Sequence, residues 1–381
     1  MHALNRRQVL GLGALLCAPG SVVFANGEQP LLISGASDGD DKHWVIGLRV
    51  ADYGIETAFK HQLPARAHHI AIDNERGIYI VVARRPGTWM MLGDLATGAL
   101  YSEIQVPADR HLFGHGVFSA EHDLFYTTES DFENMTGDSG LIVEWRVTGS
   151  GMNASLERLR EFPSYGVGPH ELLLHPDGDT LIIANGGIRT HPARDRENLN
   201  VDTMQPSLAY VDRRSGELLE QHYMPEEFHQ SGIRHMDVNA DGLVAIAMQF
   251  EGEPFIDAPL LATHRRGEEL RMLKAAPELQ PQLKQYIGAL RYDRGGRYFA
   301  ASAPKGNLIT FWDAEAGTLL HTTRARDGCG VCAVQNGFVF STGTGRVAHI
   351  DLTSDNVTEF ESSDELDELK VFWDNHMSAL A

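Results

Sequence analysis

Five histidines share one local pattern, in which a turn is followed by His and then by an apolar stretch. They are His69, His115, His170, His235 and His376. Imidazole is the commonest metal ligand in proteins and suits iron, copper, zinc and haem iron. The shared pattern predicts a site where these side chains bind a transition metal, with iron expected first and copper or haem as alternatives. The competing interpretation is that each His caps its own strand by bonding a backbone carbonyl.

The histidine pattern is part of a longer repeat. A turn and a second apolar run follow most of these histidines, and a third run ends in Asp before another turn, as at Asp94, Asp212, Asp313 and Asp351. A fourth run closes the unit. Two further units, at residues 288–290 and 329–332, fit the pattern without a His. Four short antiparallel strands repeated at a period of tens of residues are typical of a β-propeller blade.

Counting the units predicts an all-β, seven-bladed β-propeller. Residues 31–64 supply three strands of a blade without its innermost strand, whereas the segment around His376 supplies an innermost strand with nothing after it. Pairing this C-terminal strand with the N-terminal blade would close the ring and remove both open sheet edges. Helical signals are few, and the best of them, residues 277–286, is interpreted as an insertion.

The propeller fold predicts where the histidines meet. The innermost strand of each blade lines the central channel, so the five residues are expected to ring one mouth of it. Strict alternation along a strand predicts that His68 faces away from His69, while Glu171 is an alternative inward residue beside His170. The loops that carry Arg84, Arg85 and residues 185–206 would form a cup over this ring, or would be plain surface loops.

The N-terminus and the composition bear on the compartment. Arg6 and Arg7, a short apolar run and the small-residue exit at residues 23–25 predict a twin-arginine signal over residues 1–25, with the propeller over residues 26–381. The mature protein is then expected in the periplasm without a membrane span. A net charge of -20 argues against nucleic acid and anionic membrane surfaces as partners.

Cys329 and Cys332 are the two cysteines outside the predicted signal. In an oxidising compartment such a close pair is consistent with a strained disulfide, with two metal ligands or with a redox pair. Ala333 follows where covalent haem attachment would need His, so that chemistry is not supported. Cys332 is retained as a further candidate metal ligand.

The twin-arginine start, the seven-unit pattern, the Gly-Pro-His-Glu at residues 168–171 and the Trp-Asp-Asn-His at residues 373–376 together resemble a known group. This group is an uncharacterised family of exported bacterial propeller proteins encoded beside imelysin-type iron-regulated proteins and a di-haem oxidoreductase-like protein. The resemblance covers essentially the mature chain and implies a part in periplasmic iron acquisition, with iron-uptake proteins as partners. It implies no catalytic residues.

Three functions are consistent with these observations. The leading hypothesis is a metal-binding or accessory component of iron uptake, which is not an enzyme. The second is an oxidoreductase whose histidines hold a redox metal or haem. The third is a scaffold that docks partner proteins, with purely structural histidines. The sequence contains no nucleophile elbow, no His-Glu-x-x-His helix and no phosphate-binding loop, so no enzyme class is favoured.

Overall fold

The computed structural model describes residues 30–50, 54–134, 137–194, 197–354 and 356–380. The predicted signal segment, residues 1–25, lies outside the described residues. Seven four-stranded antiparallel sheets are arranged as a propeller, which confirms the predicted all-β, seven-bladed fold. Among the helices of the described ranges, none is long and apolar enough to cross a membrane.

Each blade is a simple meander in which consecutive strands pair from the channel outward, and blade 1 alone combines the two ends of the chain. Blade 1 contains β1 (Leu31–Ser37), β2 (His43–Val50), β3 (Ile55–Leu63) and β28 (Phe372–Leu380); blade 2 contains β4 (Ala67–Asp73), β5 (Ile78–Ala83), β6 (Trp89–Asp94) and β7 (Leu100–Gln105); blade 3 contains β8 (Arg110–Phe118), β9 (Leu124–Asp131), β10 (Gly140–Thr148) and β11 (Ser155–Pro163).

The remaining four blades follow the same order. Blade 4 contains β12 (Pro169–Leu174), β13 (Thr180–Asn185), β14 (Ser207–Asp212) and β15 (Leu218–Tyr223); blade 5 contains β16 (Ser231–Val238), β17 (Leu243–Phe250), β18 (Leu261–Arg265) and β19 (Arg271–Leu273); blade 6 contains β20 (Ala289–Tyr292), β21 (Tyr298–Ala303), β22 (Leu308–Asp313) and β23 (Thr318–Arg324); blade 7 contains β24 (Gly328–Val334), β25 (Gly337–Thr342), β26 (Val347–Asp351) and β27 (Asn356–Glu359).

The C-terminal strand closes the ring. Strand β28 pairs antiparallel with β1, from Leu31 opposite Leu380 to Ser37 opposite Phe372. Its other neighbours are the innermost strands β24 and β4, so it lies between blades 7 and 2 at the channel. Closure leaves no unpaired edge at the junction between the first and last blades, which is where an open propeller would be weakest.

The predicted Asp turns join the third and fourth strands of several blades. The Asp94 carboxylate accepts the backbone N–H of Thr97 at 2.9 Å, and Asp212 accepts that of Ser215 at 2.7 Å. The Asp313 and Asp351 carboxylates accept backbone N–H groups in the same way. These side chains replace missing backbone partners and so hold the hairpin in a tight turn. The repeat seen in the sequence is therefore a repeat of turn chemistry.

The core lies between the blades rather than within a central apolar plug. The middle strands are buried on both faces, as in β5, where all six residues from Ile78 to Ala83 are buried. Aromatic side chains such as Tyr79, Tyr210 and Trp312 fill the spaces between adjacent sheets. This packing fixes the position of each innermost strand and leaves the channel for polar side chains.

Two helical features differ from the sequence-based expectation. Residues 277–286 contain only a short 3-10 turn, Gln280–Leu283, and not the predicted helix. Pro281 lies within that turn, and Lys284 ends it in a left-handed conformation. A short α-helix, α1 (Asp364–Leu369), was not predicted and precedes β28. Buried Leu366 anchors it to the core between blades 7 and 1.

Candidate metal centre

The channel mouth is built from irregularities in the innermost strands. The pairing register shifts in β28, β4, β8, β12, β16 and β24, in each case next to the channel mouth. Such β-bulges place extra residues opposite the partner strand, and they redirect the side chains involved. The predicted histidines lie in or directly beside these bulges, so the local backbone aims them at the channel.

Five imidazole rings pack against one another at this mouth. They belong to His68, His115, His170, His235 and His376. Ring centroids lie 4.5 Å apart for His68 and His376, 4.7 Å for His170 and His235, and 4.5 Å for His235 and His376. The side chains of five strands from five blades therefore meet in one cluster, which we call the His cluster.

His68 occupies a position in the cluster that the sequence does not predict. Residues 68 and 69 lie between two β4–β5 pairs, Ala67 with Ala83 and Ile70 with Val81. The bulge breaks the alternation that would turn His68 away from the channel. His69 stacks on His115 with centroids 5.0 Å apart, but it is in none of the compact ligand groups found among the described residues.

Glu171 connects the cluster to the channel below it. Its Oε2 accepts the backbone N–H of Met236 at 3.0 Å and the Nδ1–H of His235 at 3.2 Å. Its Oε1 accepts from the Arg291 guanidinium at 3.4 Å and lies 3.4 Å from His115 Nδ1. The bulge at His170 lets both His170 and Glu171 reach this region, although neighbouring residues normally face opposite ways.

Three groups at the channel mouth could hold a metal ion. They are His68 with His170 and His235, His68 with His115 and His376, and His115 with Glu171 and His235. The ligand atoms within each group lie within 4.8 Å of one another. Ligand nitrogens bound to one ion at about 2.1 Å in tetrahedral geometry lie about 3.4 Å apart, so binding requires the side chains to move together by up to about 1.4 Å.

The groups compete for shared ligands. A neutral imidazole has one acceptor nitrogen, so His68 can bind one ion in either of its two groups. Glu171 already holds the Nδ1–H of His235, which leaves His235 Nε2 as the ligand atom. A carboxylate that orients a ligating His in this way is the usual second partner in metal sites. The group His68, His170 and His235 fits this arrangement best.

Burial keeps the imidazoles neutral. Burial, reinforced by neighbouring positive groups, holds the pKa of His68, His170 and His376 well below its usual value. Burial also lowers the pKa of His69 to about 4. Burial alone would raise the pKa of Glu171, but His115, Arg291 and the His235 hydrogen bond outweigh it and lower that pKa. The site therefore offers neutral nitrogen ligands beside one carboxylate.

Several ring nitrogens in the cluster lack a hydrogen-bond partner among the described residues. They are His68 Nε2, His69 Nδ1, both nitrogens of His115, His170 Nδ1 and His376 Nε2. A buried polar atom without a partner costs about 1–3 kcal/mol. So many in one place indicate a polar pocket whose missing partners a bound ligand or ordered water would supply. Strand capping, the competing interpretation, would leave these nitrogens bonded to carbonyls.

A small cavity opens beside one of the ligand groups. Its volume is about 40 Å³, and its lining includes His68, His170 and His235. Arg84, Arg85 and Arg234 also line it, as do Phe113, Gln249 and Tyr286. The predicted cup over the ring thus exists in part, since Arg84 and Arg85 come from the loop after β5. Arg189, from the long loop after β13, instead donates to the Gly137 carbonyl at 2.7 Å.

The two cysteines lie apart from the ligand groups. Both are free and buried, and neither belongs to a metal-competent group among the described residues. The Cys329 thiol donates to the Asp327 carbonyl at 3.1 Å, while Cys332 packs with Trp373 and Met377. Burial raises the pKa of Cys332 to about 12. These features favour inert core thiols over ligands.

A fourth ligand group lies away from the channel, on the outer strands of blades 4 and 5. It comprises Glu220, His222 and His264. Both nitrogens of His264 already have partners, since Nδ1 lies 2.6 Å from the Tyr210 hydroxyl and Nε2 lies 2.9 Å from the Glu268 carbonyl. This group is therefore better explained as a hydrogen-bond network between blades.

Sequence reasoning missed three groups of this site. His68 could have been found from the tandem His68-His69, because a bulge at this pair lets both residues reach the channel mouth. Arg234 and Arg291 gave no such signal. Arg234 is the extra residue of the β16 bulge, and Arg291 comes from β20, which has no His. Their roles depend on contacts between blades that sequence spacing does not contain.

The fold and the site define a seven-bladed propeller with a buried His cluster at one channel mouth. The chain belongs to a family described as "Protein of unknown function (DUF1513)", whose model matches residues 61–380. This agrees with the expected membership of an uncharacterised family. No functionally curated protein matches the chain significantly.

Two solved structures show the same fold. Hydrazine synthase from Kuenenia stuttgartiensis has a TM-score of 0.58 and 15% identity, covering 92% of this chain and 99% of the other. A functionally unknown protein from Desulfotomaculum acetoxidans has a TM-score of 0.53 and 12% identity, covering 82% of this chain and 89% of the other. At these identities the similarity concerns the fold alone.

Proposed function

We propose that this protein is a periplasmic propeller that binds a transition metal, iron first, as a binding or accessory component of iron acquisition. The observation that carries the proposal is the set of buried ring nitrogens without partners in the His cluster. Neutral, converging imidazoles are ligands for iron, copper and zinc ions. An ion bound by His68 and His170 would remove the cost of leaving His68 Nε2 and His170 Nδ1 unsatisfied.

The ion would be held by His68, His170 and His235. These residues line the cavity, so an ion can enter from the channel mouth without unfolding a blade. Glu171 is a positioning residue because it fixes the ring of His235 through Nδ1. A cavity of about 40 Å³ has room for about three water-sized groups but not for a porphyrin, which favours a metal ion over haem.

The link to iron acquisition rests on the family resemblance and on the predicted export signal. The resemblance implies a role beside iron-uptake proteins, which would be its partners, and the predicted signal implies the periplasm. The propeller would then present or store an ion and would not transform a substrate.

An oxidoreductase is the second candidate, and the cavity is the observation that favours it. Three protein ligands leave at least one coordination position open, and here the open side faces a cavity. A redox metal at that position could bind and activate a small molecule. Redox titration of the loaded protein separates the two functions, because a carrier needs no reversible couple.

Elemental analysis of the protein exported in its native host tests the proposal. We expect about one equivalent of iron or another transition metal per chain, lost in His170→Ala and retained in His349→Ala. His349 is a buried histidine that is in none of the ligand groups found in the described part of the chain. It therefore controls for the loss of any buried imidazole.

A second variant, His376→Ala, identifies the ligand group. Retention of metal in this variant supports the group at the cavity, whereas loss there and retention in His170→Ala would place the ion deeper. If the wild-type protein takes up no metal even after loading with ferrous or cupric ions, the metal proposal is wrong. The propeller would then be a docking scaffold with structural histidines.

A further inference from the structure

The three ligand groups at the channel mouth overlap. Any two of them have one residue in common, which is His68, His115 or His235. His68 belongs both to the group at the cavity and to the group that it forms with His115 and His376. The cluster therefore offers adjacent coordination positions, and an ion that keeps one ligand can exchange the others.

The two groups that share His68 differ in their access to the cavity. The outer group, His68 with His170 and His235, lines the cavity, whereas neither His115 nor His376 is among the described residues that line it. His115 and His376 are 1% and 2% exposed. These two residues and His68 form what we call the inner group. An ion held there would be shielded from the cavity by the rings of the outer group.

The inner group is also the more compact of the two. Its ring centroids lie 4.5 Å apart for His68 and His376, 4.7 Å for His115 and His376, and 4.9 Å for His68 and His115. In the outer group the His68 ring lies 5.2 Å from that of His170 and 6.1 Å from that of His235. The inner rings therefore need the smaller movement to converge on one ion.

An ion held by the outer group alone leaves part of the cluster unsatisfied. Both ring nitrogens of His115 and Nε2 of His376 are buried without a hydrogen-bond partner in the part of the chain that the structure describes. Such atoms cost free energy until a ligand or a water molecule contacts them. The inner group is thus a second polar space that the outer position does not explain.

Glu171 lies between the two groups and contacts one ligand of each. Its Oε2 accepts the Nδ1–H of His235 at 3.2 Å, and its Oε1 lies 3.4 Å from His115 Nδ1. A carboxylate on Nδ1 leaves Nε2 of the same ring as the ligand atom. Glu171, His115 and His235 also form the third ligand group, which connects the outer group to the inner one.

We propose that the bound ion moves between two positions, an outer one open to the cavity and an inner, occluded one at His68, His115 and His376. This inference rests on the proposed metal site. His68 would be a ligand in both positions, while His115 and His376 replace His170 and His235. One ion would occupy the pair, because neutral His68 has one acceptor nitrogen and two cations this close repel each other. The inner position would store the ion away from competing ligands.

Stopped-flow mixing of the metal-free protein with Co(II) tests this inference, because the cobalt absorption bands report the coordination shell. We expect a first phase whose rate rises with the Co(II) concentration, as the ion binds at the outer position. A second phase should follow at a rate independent of the Co(II) concentration, because transfer to the inner position is unimolecular. Equilibrium titration should show about one equivalent of Co(II) per chain.

Variants of the inner group identify the second phase. His376→Ala should lose this phase and keep the first, with an unchanged amount of bound Co(II). His115→Ala should behave in the same way, and it replaces His376→Ala if that variant does not fold. His349→Ala removes a buried imidazole outside the ligand groups found among the described residues, so it should keep both phases.

The outcomes separate this inference from the proposed function. A single phase in the wild-type protein would overturn the inner position and leave the outer one standing. A second phase that persists in both inner variants would have the same meaning. Uptake of a second equivalent, in a phase whose rate rises with the Co(II) concentration, would show two ions and overturn the movement of one. Failure to bind any Co(II) would overturn the proposed metal site itself.

Discussion

Replacing Glu171 by Gln should weaken both the fold and the metal site, by separable amounts. The variant keeps the volume and one acceptor oxygen, so the Met236 N–H can retain its bond. It removes the negative charge that faces the Arg291 guanidinium at 3.4 Å. Glu171 is 2% exposed, so solvent cannot replace that charge.

The stability cost can be bounded from the contacts. Removing one partner of a fully buried ion pair costs about 3–5 kcal/mol. Arg291 is 21% exposed along its side chain and also donates to the Leu290 carbonyl at 2.8 Å and the Met236 carbonyl at 3.2 Å. These contacts reduce the penalty, so we expect the free energy of unfolding to fall by about 2–3 kcal/mol.

The effect on the metal site follows from the hydrogen bond to His235. Loss of a carboxylate that orients a ligand typically weakens metal binding by about 10–100-fold. At an ion concentration of 100 times the wild-type Kd, bound metal stabilises the wild type by about 2.7 kcal/mol. The same concentration would stabilise the variant by only about 0.4–1.4 kcal/mol.

Urea unfolding of metal-free and metal-loaded protein measures both effects. Glu129→Gln is a matched control, because Glu129 is equally buried and bonds the Arg158 guanidinium at 2.9 and 3.0 Å. It should lose similar stability, with unchanged metal affinity. A Glu171→Gln variant that unfolds within 0.5 kcal/mol of wild type would refute the ion-pair reasoning. Unaltered metal affinity would refute its positioning role.

Three further changes test other parts of the structure. Gly114→Ala should lower metal affinity, measured by titration, at least about tenfold. Gly114 has a φ of 110°, and an added Cβ would lie 2.5 Å from His68 Cδ2, so the substitution should displace His68. An unchanged affinity would show that His68 is not a ligand. Deleting β28 should abolish cooperative unfolding, followed by circular dichroism, and a β28 peptide added in trans should restore it. Burial raises the pKa of the Cys332 thiol to about 12, so this thiol should remain protonated at pH 8. It should react with a thiol reagent only after unfolding in urea. Fast reaction of the native protein would contradict this.

The sequence predicts the blade count and the ring closure because both depend on local signals. Each blade repeats the same turn chemistry, as in the carboxylate of Asp212 that holds the β14–β15 turn. Closure follows from the unmatched strands at the two ends, and β28 completes blade 1 as expected. These features need only the alternation of strands and turns along one chain.

The composition of the His cluster is less predictable, since it depends on pairing between strands. A bulge exists only relative to a partner strand, so the sequence of β4 alone cannot show that two residues, His68 and His69, fit opposite one step of β5. Strict alternation therefore gave the wrong direction for His68. The guanidinium of Arg291 reaches Glu171 from two blades away, and no spacing in the sequence encodes that contact.

The bulges also explain how one fold can make a polar site on an apolar scaffold. Blade packing needs regular alternation along the strands, yet a metal site needs neighbouring side chains to face one space. A register shift confined to the channel mouth satisfies both, because the strand regains its alternation below the bulge.

The two blades without a predicted His also shape the site. In blade 7 the residue at the register shift is Gly330, where an added Cβ would lie 2.9 Å from Met377 N. The absence of a side chain there lets β28 approach and bring His376 into the cluster. Blade 6 has no bulge in its innermost strand over Ala289–Tyr292, and there the channel receives Arg291, the partner of Glu171. The positions without His therefore complete the site. If the His cluster binds metal, substitutions at Gly330 and Arg291 should reduce metal affinity, as loss of a ligand would.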